Sequence, residues 1–174
     1  MEKYLFLKKS ISNIYENNLY KIIAKNKDSY LIAGKAPKGS RKFFSLYNLP
    51  FDKMDDNWID LDEFLKSCKL IGKKFYRTQE ISLKTEAPHA FMQTEMFEPK
   101  VIMLAICKDG FIYYDQISKN TYILNSAYIE DMNFKFLDTK VELPFELSKQ
   151  SIKNEVVNSI NKKIQNTLFE SIEF

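Results

Sequence analysis

Short apolar runs broken by polar turns make up most of this chain, and two stretches carry a helical period instead. KYLFL, residues 3–7, reads as a short strand. LYKIIAKN and SYLIAG, with Lys27-Asp28 between them, predict a hairpin over 19–34. KFFSLY from Lys42 and KKFYRTQEISLK from Lys73 are strand-like. SISNIYENN fits a short helix or a loop, and NLPFDKMDDNW reads as irregular.

The clearest β signal is VIMLAICKDGFIYYDQISKNTYILN, residues 101–125. Three β-rich runs are joined by short turns. The first run is apolar throughout, which predicts a central strand buried on both faces. Asp109-Gly110 fits a two-residue type I′ turn with positive φ at both positions. Ser118-Lys119-Asn120 predicts the second turn, and NFKFLD from Asn133 a further strand.

Two helices follow from apolar residues spaced by three and four. Leu61, Phe64, Leu65 and Cys68 share a face, Asp60 and Glu63 have capping-box spacing, and Gly72 reads as a stop. That predicts a helix near 61–70. Ile152, Val156, Val157, Ile160, Ile164 and Leu168 form a stripe on a long C-terminal amphipathic helix near 149–170. Strict fours advance about 40° per step, so the stripe winds as it would over a twisted sheet. The expected fold is therefore α+β: a mainly antiparallel sheet, with a meander around 101–125, and two helices. The chain of 174 residues reads as a single α+β domain spanning 1–174. Periodicity does not encode strand order or the number of sheets.

Composition narrows the function classes. The chain is 45% hydrophobic and 28% charged, as a globular core requires. Its net charge is only +3, compatible with a nucleic-acid partner without requiring one. Arg41 and Arg77 are the only arginines, so lysine is the default surface cation. Those two arginines stand out, because only arginine offers a planar fork for phosphate. No run reaches membrane-spanning length and no signal-peptide core opens the chain, so the expectation is a cytoplasmic protein with no membrane partner. Cys68 and Cys107 lie in apolar contexts and make no disulfide framework; they read as reduced core residues.

Motif chemistry is sparse. Gly34 and Gly39 have P-loop spacing, but Ser40 stands where lysine is needed and Arg41 where the hydroxyl is needed. The strand-like residues that follow also deny the helix N-terminus a P-loop uses. His89 is the only histidine and the cysteines are well separated, which excludes zinc spacings. Glu98-Pro99-Lys100 has the letters of a nuclease E-x-K, but with proline in the middle, outside the strand. Neither a metal nor a cofactor is expected.

What remains is a basic-aromatic signal. Lys35, Lys38, Arg41 and Lys42 lie within eight residues, with Ser40 among them and Phe43 beside them. Lys73, Lys74, Tyr76 and Arg77 repeat the combination with Phe75. Cations position a phosphate backbone and aromatics stack on bases. These segments suggest a non-enzymatic binding protein that contacts nucleic acid, or the nucleic-acid-binding or acidic face of a partner protein. A phage- or plasmid-type accessory or inhibitor protein fits that composition. Two alternatives stand beside it. One is a metal-independent endoribonuclease using His89. The other is an assembly module, a homo-oligomer pairing through the C-terminal helix.

Overall fold

The computed structural model describes residues 2–9, 19–35, 44–77, 100–125 and 134–172, giving the backbone alone for Lys35, Phe44, Tyr76, Arg77 and 166–172. The fold is α+β, with two antiparallel sheets of five strands each. Two compact units emerge, Met1–Lys66 with Val157–Phe174, and Ser67–Val156.

In the first unit the strands are β1 (Tyr4–Leu7), β2 (Leu19–Lys25), β3 (Ser29–Lys35), β4 (Phe44–Pro50) and β5 (Trp58–Asp60), in the order β4-β3-β2-β1-β5. The expected hairpin is β2–β3; the Asn26 N–H donates to the Ser29 carbonyl at 2.8 Å and closes its turn. Alternation divides the strands between two apolar clusters. One holds Leu5, Leu7, Tyr20, Ile32, Tyr47, Leu49 and Trp58, with Tyr20 5.2 Å from Trp58 and edge-on to Tyr47 at 5.9 Å. The alternate positions meet helices. Phe6 stacks on Phe64 of α1 (Leu61–Lys66) at 3.9 Å, and Ala33 packs with Ile160 and Ile164 of α2 (Lys149–Ile172).

In the second unit the strands are β6 (Lys69–Arg77), β7 (Val101–Cys107), β8 (Gly110–Asp115), β9 (Asn120–Asn125) and β10 (Phe134–Phe136), in the order β10-β6-β7-β8-β9. The meander 101–125 is β7–β8–β9, and β7 is buried along almost its whole length, as a central strand should be. The strand expected in NFKFLD is β10, which pairs with β6. Phe75, Val101, Met103, Phe111, Tyr113 and Leu124 form the core on one face. Burying one such large side chain contributes roughly 1.5–3 kcal/mol. Ser148 opens α2, its Oγ accepting the Ser151 N–H at 3.0 Å. Ile152, Val156 and Ile164 of the predicted stripe are buried.

Three local expectations are corrected. Helix α1 ends at Lys66 rather than near residue 70, because Lys69 onward is claimed by β6. Gly72 therefore does not stop a helix. It sits in β6 with φ +68, where the β6–β7 register shifts between Leu70 and Lys73. The β7–β8 loop is Lys108-Asp109, since Cys107 pairs with Gly110, and none of these residues has positive φ. The glycine serves inside the ladder, between Cys107 and Asn125, and the type I′ reading fails.

The cysteines are buried, as expected, yet they are not free thiols: Cys68 and Cys107 are joined as a disulfide. The cause is register. Lys69 pairs with Ile106, so the next rung of the β6–β7 ladder sets Cys68 opposite Cys107. Among the described residues no helix is long and apolar enough to cross a membrane.

Candidate functional site

The first basic-aromatic segment hangs from a regular ladder. β3 and β4 pair without a register shift from Ser29↔Pro50 to Lys35↔Phe44. Ile32, Ala33, Tyr47 and Leu49 along that ladder are buried, which fixes its position. Residues 36–43 thus connect the ends of two neighbouring strands, anchored at the Lys35–Phe44 rung. Gly34 lies within β3 opposite Ser45, and the segment feeds a strand; a P-loop would feed a helix. Lys38, Ser40, Arg41, Lys42 and Phe43 lie outside the described residues, as does His89; of Lys35 the backbone position is given.

The second segment is β6, in the other unit. Strand alternation places positions 73 and 75 on one face and 74 on the other; of Tyr76 and Arg77 the backbone position is given. Phe75 is fully buried, 5.4 Å from Phe134 and 6.1 Å from Tyr113, both edge-on. It is a core residue, and the reading of it as a stacking platform for bases beside those cations is corrected.

Lys73 and Lys74 differ in setting. The Lys73 ammonium lies 3.6 Å from the Asp138 carboxylate, with both side chains largely in water. Such a pair is worth little to stability, but it partly neutralises the cation locally. Lys74 is half-buried, and its carbonyl accepts the Leu137 N–H at 2.9 Å. Sequence reasoning missed Lys135, which is exposed on β10 directly opposite Tyr76. Its signal lay in NFKFLD, where the alternation Phe-Lys-Phe marks a strand with one cationic position.

Sequence reasoning also missed a polar cluster in the first unit. The Tyr4 hydroxyl donates to the Glu2 carboxylate at 2.7 Å and accepts from Asn161 Nδ2 at 3.1 Å. Lys21 Nζ donates to Glu2 at 2.9 Å and to Asn161 Oδ1 at 3.0 Å. Burial, and then the Glu2 hydrogen bond, push the Tyr4 hydroxyl up to about 12. The hydrogen bond from Tyr4, followed by Lys21, holds the Glu2 carboxyl below its ordinary value. The four side chains satisfy one another and tie α2 to β1 and β2, which is a structural role.

Among the described residues no three His, Cys, Asp or Glu side chains converge as metal ligands. Compared with protein-family models, with curated proteins and with solved structures, the chain matches none.

Proposed function

We propose that this chain is a non-enzymatic binding protein whose β3–β4 connection contacts the phosphates of a nucleic acid. One observation carries the reading: Lys35, Lys38, Arg41 and Lys42 belong to a segment whose two ends are pinned at the Lys35–Phe44 rung. Cations this close in sequence can meet a polyanion together, releasing several counterions at once. Arg41 adds a planar fork for phosphate, and Phe43 a face on which a base can stack. The β6 segment is secondary in this reading, because Phe75 is core and Lys73 already has Asp138.

Fluorescence anisotropy with labelled single-stranded RNA, single-stranded DNA and duplex DNA, at two salt concentrations, tests it. The expected result is binding that weakens steeply with salt while the probe stays intact on a denaturing gel. Absence of binding at low salt overturns direct nucleic-acid recognition and redirects the search to an acidic protein partner. Shortened RNA transfers the function to His89 and nuclease chemistry.

A further inference from the structure

We propose that Cys68 and Cys107 are a reversible thiol–disulfide pair that locks the β6–β7 end of the second sheet in response to the surrounding thiol redox state. Three observations converge on this pair. Cys68 and Cys107 face each other one position beyond the first rung of the β6–β7 ladder, Lys69↔Ile106, so the bond spans strands already in register. Contacts on either side hold the strands together independently of the sulfurs: Lys69 and Leu70 pair with Ile106 and Ala105 in the ladder, and beyond its end the Lys108 N–H donates to Ser67 Oγ at 3.3 Å. The strand pairing beside the cysteines therefore does not depend on the bond. The pair also lies at the sheet's end, buried itself but flanked by exposed Ser67, Lys69 and Lys108, where local fraying opens it to a small thiol.

Composition points the same way. These are the only cysteines, so the bond has no third thiol with which to shuffle. A single disulfide in a chain large enough to fold on its core alone matches redox sensing better than scaffolding. The exchange partner is a small disulfide of the glutathione class. One cysteine thiolate attacks it and expels a first glutathione thiolate, leaving a mixed disulfide. The second cysteine then displaces the remaining glutathione. One protein dithiol and one glutathione disulfide thus give one protein disulfide and two glutathione thiols, and excess glutathione reverses the exchange.

The test uses the full chain, equilibrated in buffers of varied reduced-to-oxidised glutathione ratio, trapped with a maleimide and weighed by mass spectrometry. The expected result is an intramolecular disulfide that opens and recloses across that series under native conditions. Reduction should lower the melting temperature on the order of 10 °C. A Cys68→Val, Cys107→Val double variant keeps an apolar pair at the rung and should fold with a melting temperature indifferent to reductant. Two free thiols under oxidised glutathione alone overturn the proposal. So does a disulfide that resists excess reduced glutathione in the native protein, or glutathione adducts in place of the internal bond.

Discussion

Leu147 stands where a Gly72 side chain would stand: a Cβ built on Gly72 lies 2.7 Å from Leu147 Cδ2. Gly72 also holds φ +68, in the left-handed region where a Cβ costs about 1–2 kcal/mol. Gly72→Ala should therefore destabilise the second unit by about 1–2 kcal/mol, mostly through the backbone, because the end of the half-buried Leu147 side chain can turn aside. Urea denaturation measures it. Repeating the substitution in a Leu147→Ala background removes the overlap and should leave the backbone portion alone. Equal losses in both backgrounds would show that φ carries the whole effect.

Lys119 is the reverse case, a residue with a Cβ at φ 58. The turn that demands this is built by Asp115. Its carboxylate accepts the Ile117 N–H at 2.9 Å, and its carbonyl accepts the Lys119 N–H at 2.8 Å. Lys119→Gly should stabilise the protein by up to about 1 kcal/mol, reduced by the extra freedom glycine gives the unfolded chain. Lys119→Asn should gain less. A fall in the denaturation midpoint for both variants would refute strain at this position.

How much of this was legible in the sequence depends on how local each signal was. β7, β8 and β9 could be read directly, because they are β-rich runs separated by Lys-Asp-Gly and Ser-Lys-Asn. Gly72 was misread because its local context, just after an apolar helical face, is that of a helix stop. Its real role is set by β7, about thirty residues further on. Gly110 and the cysteine pair fail for the same reason: register across strands decides them, and no window along the chain contains it. The cationic content of both candidate segments was legible. The depth each residue takes in the sheet was not: Phe75 is fully buried, whereas Lys73 on the same face is exposed and Lys74 on the other is half-buried.

Tyr4 gives a pH dependence with a definite sign. Its hydroxyl is pushed from an ordinary value of 10.0 up to about 12, so the folded chain holds that proton more tightly than the unfolded chain does. The contribution is complete below about pH 10 and is lost as pH rises toward 12. Tyr4→Phe removes it, along with the hydrogen bond to Glu2. At pH 9 the variant should be less stable by about 1 kcal/mol. That gap should narrow steadily between pH 10 and 12 in urea titrations of the two proteins. A gap independent of pH would show that the Tyr4 proton is not linked to folding.

The binding proposal makes its sharpest prediction through salt. Each phosphate neutralised adds about 0.9 to the slope of log affinity against log salt on duplex DNA, and about 0.7 on single strands. Replacing Lys35, Lys38, Arg41 and Lys42 together by alanine should reduce that slope by about three and abolish binding at moderate salt. The melting temperature should barely move, because Ile32, Ala33, Tyr47 and Leu49 of the β3–β4 ladder are left untouched. Lys73→Ala is the control. Its cation faces Asp138, so its removal should leave the slope nearly unchanged. If Lys73→Ala lowers the slope by close to one while the four substitutions leave it unchanged, the phosphate contact lies on β6 and not on the β3–β4 connection.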